Sequence, residues 1–369
     1  MPEIKLTRAG DEKATRLHII AIETCLVKAR QHIDKAKVKR QLEIEQRIME
    51  EQKVLYWLCE GFERFLRLQA YCPQLLFVKG DIDLSRPLVT IVGTRNPDEY
   101  GMEVSKRLAF ALAKAKVTVV SGGALGIDTC AHEGALEAQG KTIAILGNGI
   151  ARPHPAQNKE LFERILGSGG ALISEYPLLA KPFKWHFPER NRLLSAICDA
   201  VIVVQAGKKS GALITAQFAK RLGKPLFAVP ADIWFEKSLG CLELLRDGAI
   251  PLVHPKDLSV VESLAFLEKA NVEWPSPRYR QFGTSNPWAK IGEAQEEAPV
   301  DSKVYDALLK RPLAIDELVV STGLSVPEIQ AELFTLEVKG LVRRMPSAKF
   351  CVLPHDPSKF FGKEDGVDD

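Results

Sequence analysis

Several features are scarce in this 369-residue sequence. No CxxC pair occurs among the seven cysteines, Cys25, Cys59, Cys72, Cys130, Cys198, Cys241 and Cys351. An odd, unclustered set argues against a zinc site or a disulfide framework and for free thiols in a reducing compartment. No run is long and apolar enough to span a membrane, and the opening MPEIKLTRAGDEK lacks the apolar centre of a signal peptide. A cytoplasmic protein with no membrane partner is expected. The charge excess is also small. At a net +3, a nucleic-acid binder would have to gather its cations locally. Finally, Pro2 and Pro73 enclose a stretch with no proline and only two glycines, Gly10 and Gly61.

That stretch places Ile22, Leu26, Ile33, Leu42, Ile48 and Leu55 at helical spacing with mixed charges between them. It predicts a helical N-terminal region over 1–72, its charged middle a solvated face. From Leu88 the pattern changes. The runs LVTIVG, VTVVSGG, TIAILGNG, ALISEY, AVIVVQAG and PLFAVPA alternate with helical segments near 100–115, 127–138, 157–167, 189–197 and 211–222. This predicts an α/β domain over 73–273, an extended Rossmann-like, doubly wound and mostly parallel sheet. Residues 274–300 carry four prolines and read as a linker. Three short helical segments and a charged hairpin over 301–353 predict a small C-terminal winged-helix domain, followed by a disordered tail over 354–369. Its second helix–turn–helix segment, SVPEIQAELFTLEV, holds Glu328, Glu332 and Glu337 and no cation, which does not suit a reader of phosphate-lined grooves.

Ligands of such sheets sit beyond the carboxyl ends of the strands. Four loops there favour anions. SGGALGID (121–128) enters a helix through Gly122, Gly123 and Gly126, but Ser121 stands where a GxGxxG motif begins, so the case for a dinucleotide is weak. Asp128 fits a helix-start role rather than catalysis. GTR (93–95) carries Arg95, and GKKSGALITA (207–216) carries Lys208, Lys209 and Ser210. In KPFKWHFPERNR (181–192), Phe183, Trp185 and Phe187 alternate among Lys181, Lys184, Arg190 and Arg192. Read as extended chain, the three rings face one way, flat surfaces for bases among cations for phosphates. Trp185 is the better stacking candidate, Phe187 equally a core residue seating the next helix.

The block SGGALGIDTCAHEGALEAQGKTIAILGNG, followed by LISEYP, FPERNR, SGALITAQFA and FAVPA, resembles the DNA-processing protein A (DprA/Smf) family over about Pro73–Asp257. The resemblance implies single-stranded DNA binding by an extended Rossmann domain during natural transformation, protection of the incoming strand, its delivery to the RecA recombinase, and a homodimer, with no cofactor and no enzymatic activity. It implies DNA-facing roles for Gly93, Arg95, Ser121, Gly122, Gly123, Arg190, Asn191, Arg192, Ser210 and Gly211. Lys184, Trp185 and Lys208 join them on the chemistry of their loops. The sequence departs from the family in lacking its N-terminal Gly-Ile/Val-Gly turn and in carrying Ala151, His154, Ala231 and Leu242 at positions where other residues are usual.

Two readings from other classes remain. Phosphoribohydrolases of the lysine-decarboxylase-like group use a PGGxGTxxE loop; QAGKKSGALITAQ lacks its double glycine and its glutamate, leaving no acid or base for glycosidic cleavage. A protein-binding adaptor would use the rings as a docking surface. His132 reads as a hydrogen-bonded structural histidine, and Glu175 as an acid pairing with a nearby arginine. No metal site is expected.

Overall fold

The computed structural model describes residues 5–270, 274, 302–338, 341–344 and 349–352. The chain divides into two compact units, Met1–Arg278 and Tyr279–Asp369. Apart from Trp274, the expected linker, and all of the expected tail, lie outside the described residues.

The first unit opens with β1 (Lys5–Thr7), α1 (Glu12–Lys28), α2 (Lys35–Gln52), β2 (Val54–Leu58), α3 (Glu63–Leu66) and β3 (Leu75–Gly80). Strands and helices then alternate: β4 (Leu88–Val92), α4 (Glu99–Lys114), β5 (Thr118–Ser121), α5 (Ile127–Glu137), β6 (Thr142–Leu146), α6 (Lys159–Gly167) and β7 (Ala171–Ser174). They continue as α7 (His186–Ile197), β8 (Ala200–Val203), α8 (Ala212–Arg221), β9 (Leu226–Ala228), α9 (Leu239–Arg246) and β10 (Ile250–Pro251). One ten-stranded sheet holds them in the order β1-β2-β3-β7-β6-β5-β4-β8-β9-β10. From β7 to β10 every pairing is parallel, and β1, β2, β3 and β7 pair antiparallel.

The six apolar runs are β4 to β9, and they are buried throughout, as strands covered on both faces must be. The N-terminal region differs from expectation. Its helices form, capped by Asp11 and Asp34, whose carboxylates accept from the Ala14 and Ala36 amides. But α2 stops at Lys53, which takes a left-handed φ of 55°, and Leu55 continues into strand rather than helix. VLYWL then pairs with β3 in the register Leu58↔Leu75. The expected boundary between 72 and 73 therefore falls inside one sheet. Branched and aromatic side chains packed on a neighbouring strand outweigh a helical period that ran only through Leu55.

After β7 the chain crosses the sheet to place β8 on the far side of β4. This reversal opens a crevice between the loops that follow β4 and β8. α7 spans it. Pro188 is tolerated there because the first turn of a helix needs no intrahelical donor.

The second unit comprises α10 (Lys303–Lys310), α11 (Ile315–Thr322), α12 (Val326–Val338), β11 (Val342–Arg344) and β12 (Phe350–Val352). The two strands pair antiparallel, and Val304, Leu308, Leu318, Ile329, Leu333 and Phe350 form its core. Helix, helix–turn–helix and hairpin are the expected winged-helix order.

Candidate nucleic-acid interface

The crevice is an open pocket of about 520 Å³, lined by Gly93, Arg95, Asp128, Lys184, Phe187, Arg190, Asn191, Ser210 and Gly211 among others. Four loops distant in sequence meet there, at the carboxyl ends of β4, β5, β7 and β8.

Gly93 lets the first loop turn closely under its neighbours. A Cβ at this position would stand 2.8 Å from the Gln205 carbonyl and 2.5 Å from the Ile127 side chain. The Thr94 amide donates to the Gln205 carbonyl at 2.7 Å, extending the β4–β8 pairing by one rung. Arg95, next in line, is exposed, and its guanidinium lies 5.1 Å above the Phe187 ring.

The glycine loop does not present its amides to the pocket as an empty anion cradle. The Gly122 and Ala124 amides donate to Asp128 Oδ2 at 3.1 and 3.3 Å, so the loop's anion is one of its own side chains. Ser121 is fully buried, donating to the Ile91 carbonyl at 2.6 Å. A Cβ on Gly122 would lie within 2.7 Å of the Arg190 guanidinium and the Asp128 carboxylate. Only glycine fits between that pair. Burial pushes the Asp128 carboxyl up against the pull of Arg190 and the two amides. Burial also brings Arg190 down to about 10, still charged at neutral pH.

Here the structure corrects the expected phosphate contacts. Arg190 is only 4% exposed, and its Nη1 donates to the Gly122 carbonyl at 2.8 Å and to the Ile145 carbonyl. Its Nε donates to Asn191 Oδ1, and Asn191 Nδ2 donates to the Gly211 carbonyl at 3.2 Å. Arg190 and Asn191 thus brace the pocket wall. Arg192 faces away from the crevice. Its Nε and Nη1 donate to the Tyr71 and Glu189 carbonyls, and its Nη2 pairs with Glu175 at 2.5 Å. Glu175 therefore has the arginine partner expected of it, and that partner is an arginine first assigned to phosphate. Lys208 pairs with Glu243 at 3.2 Å and does not line the pocket.

The rings are corrected as well. The chain is not extended through 183–187: α7 begins at His186. Phe183 and Trp185 stack on each other, 5.9 Å between centroids and 7° between planes, and Lys28 sits 4.9 Å over Trp185. Trp185 lines a second pocket of about 710 Å³, shared with α1, α8 and Arg192. Phe187, two residues further, emerges on the opposite face and enters the crevice. The signal for this was Pro188, which marks the first helical turn.

No carboxylate or imidazole lining the pocket is free of partners. Asp128 is engaged as described, and His132 is buried with Nδ1 on Thr142 Oγ1 at 2.7 Å, its pKa brought down to about 3 by burial. Among the described residues no group of three or more histidine, cysteine or acidic side chains could hold a metal, and no helix is long and apolar enough to cross a membrane.

Comparisons with known proteins agree on the family. The model of DNA recombination-mediator protein A matches residues 53–262, and that of the DprA winged helix domain matches 292–347. The chain is 35% identical over 297 residues to protein Smf of Synechocystis, covering 75% of this chain and 74% of that one. It is 38% identical over 252 residues to a putative DNA processing protein DprA of Mycobacterium tuberculosis, covering 68% of this chain and 61% of that one. Among solved structures, DprA of Streptococcus pneumoniae matches with a TM-score of 0.54 and 29% identity, over 67% of this chain and 94% of that one. DprA of Helicobacter pylori, described for its single-stranded DNA binding mode, matches with a TM-score of 0.50 and 34% identity, over 56% and 92%. Motif order, sheet topology and these matches together place the chain in the DNA recombination-mediator protein A (DprA/Smf) family.

Proposed function

We propose that this protein binds single-stranded DNA in the crevice at the β4–β8 reversal, without sequence preference, and passes the strand to the RecA recombinase as a homodimer in the cytoplasm. One observation carries the DNA part. The pocket offers two exposed cations, Arg95 and Lys184, beside the half-buried Phe187 ring, and its one carboxylate, Asp128, is buried. Cations along a backbone with a ring for a base are what a single strand requires, and duplex bases cannot reach a ring without unpairing. Ser210 and Gly211 complete the rim, with the Asn191 bond fixing their loop. The single-strand binding described for the Helicobacter relative supports the same reading, while transfer to RecA and the dimer rest on family membership. The glycosidase alternative is disfavoured because no carboxylate or imidazole in the crevice is free to move a proton.

The test is binding of an unstructured oligonucleotide across a series of salt concentrations. The Arg95→Ala/Lys184→Ala protein should lose affinity for all sequences alike, with its log–log salt slope reduced by about 0.7 per lost contact. Full affinity and an unchanged slope would move the site elsewhere. Dimerisation and RecA transfer are read separately, by sedimentation and by recombinase filament assembly on strands coated by a single-strand binder.

A further inference from the structure

We infer that Glu45 is a positioning residue for the crevice: the N-terminal helical pair, through this buried carboxylate, fixes the loop that carries Lys184 and leads into α7, which presents Phe187 and Asn191. The inference rests on the single-strand reading for its consequence, though not for its geometry. Residues 175–185 link β7 to α7 with no helix or strand of their own. Their amides need partners, and two find them on α2. The Leu178 amide donates to Glu45 Oε2 at 2.7 Å and the Leu179 amide to Oε1 at 3.3 Å. Gln41 Nε2 donates to Oε1 at 2.8 Å, and His18 Nε2 meets Oε2 at 2.7 Å, with His18 Nδ1 on the Tyr56 hydroxyl at 2.9 Å. Glu45 and His18 are both fully buried. A buried carboxylate is costly unless every lone pair is used, and here four donors converge on it.

The same helices hold the far end of the loop. Lys28 Nζ bonds Glu189 at 2.7 Å while lying over Trp185, and Cys25 Sγ lies 3.8 Å from His186 Nε2. α7 has no side-chain cap of its own at Trp185. The contacts from α1 and α2 therefore bracket the segment in which Lys184 and Phe187 lie. A loop loosened at Leu178 would leave these two groups free to wander from the strand, whereas the backbone of the loop after β4, held by the Thr94 amide on the Gln205 carbonyl, would stay in place. This gives the N-terminal helices a role in the site although none of their residues lines it.

A coupling experiment tests the inference. Glu45→Ala should weaken single-strand binding about tenfold, the scale of one lost stacking contact, and lower the salt slope by about 0.7 as Lys184 is released. Glu45→Gln, which keeps one acceptor for Leu178 and His18 but turns an NH2 group toward the Leu179 amide and Gln41, should bind more tightly than Glu45→Ala and less tightly than the parent. In a Lys184→Ala/Phe187→Ala background the Glu45→Ala loss should shrink below about twofold, since groups that act together fail to add. Amide exchange over 178–187 should quicken in Glu45→Ala and stay unchanged in the central strands. Should Glu45→Ala unfold, the exposed Lys28→Ala substitution reads the same coupling with a smaller loss, about two- to fivefold. A full tenfold loss in the Lys184/Phe187 background, or unchanged exchange over 178–187, would overturn the inference. Failure of the parent protein to bind the oligonucleotide would sink the single-strand reading alone, because the exchange measurement still reports whether Glu45 holds the loop.

Discussion

Helix α7 divides two pockets, and side chains of the same types behave differently on its two sides. On the crevice side, Arg95 and Lys184 are exposed and the half-buried Phe187 ring lies under Arg95. On the other side, Arg192 spends its donors on two carbonyls and Glu175, and Trp185, as half-buried as Phe187, stacks on Phe183 beneath Lys28 and faces the second pocket. The lesson concerns what a motif can say. FPERNR brings two arginines and a ring together in sequence, but a helix distributes them around its circumference. Whether a guanidinium can meet a phosphate depends on whether the protein's own oxygens have already claimed its donors.

The largest expected effect comes from the buried arginine of the motif, which braces the crevice wall. Arg190→Met should destabilise the fold by about 3–5 kcal/mol, because Asp128 would be left buried without its counter-charge. Urea unfolding checks this. A loss below about 1 kcal/mol would mean that Arg190 is a free DNA contact after all, and the two sides of α7 would no longer differ as described.

The second effect is on pH dependence. Burial lowers His132 to about 3 and His186 to about 4, from an ordinary 6.5. The unfolded chain therefore binds protons that the folded one refuses as pH falls below about 6.5. Stability should be full above that value and decline toward pH 4, by up to about 1.4 kcal/mol per pH unit for each imidazole. Asp128, pushed up by burial, works in the opposite direction, so the contribution is isolated by comparison with His132→Gln, which should lose less over the same interval. Equal slopes for the two proteins between pH 7 and 5 would contradict the assignment.

The third concerns the rings. Phe187→Ala should cost about 1–3 kcal/mol of single-strand affinity, the range for base–aromatic stacking, with the salt slope unchanged. Trp185→Ala should cost little affinity and appear as lost stability instead. The reverse pattern in oligonucleotide titrations of the two proteins would restore the extended reading of 183–187. Smaller still is the effect of removing residues 299–369. Glu328 and Glu332 of α12 are occupied with Ser325 and Ser302, and Lys349 with Glu317, so single-strand affinity should fall less than about tenfold.

The comparison also marks where the sequence was legible. The parallel half of the sheet could be read because LVTIVG, TIAILGNG and their like are apolar without alternation, and only strands buried on both faces need that. The four loops could be placed because strand ends fix where they gather. Strands β1 to β3 were harder to see. VLYWL follows a helix after a single left-handed residue, and its partner LLFVKG lies beyond Pro73, so neither stands out without the pairing that stabilises both. Least legible were the roles of Asp128, Arg190 and Arg192. The two arginines are decided by carbonyls remote in sequence, Ile145 and Tyr71, and Asp128 by its distant counter-charge Arg190, and backbone groups leave no trace in residue types. Glu45 was hidden for the same reason. It reads as one more charge on a solvated helix until Leu178 and Leu179 are folded against it.

The most direct measurement sets Arg95→Ala against Arg192→Ala in the salt dependence of single-strand binding, with the thermal stability of each protein recorded on the same preparations. The expected result is a split. Arg95→Ala should lower the slope by about 0.7 and leave stability within about 0.5 kcal/mol of the parent. Arg192→Ala should keep the parent slope while losing stability, since Glu175 would lose its partner. Equal reductions of slope in the two proteins would show that both arginines touch phosphate, and that the division drawn by α7 does not govern which arginines are free to do so.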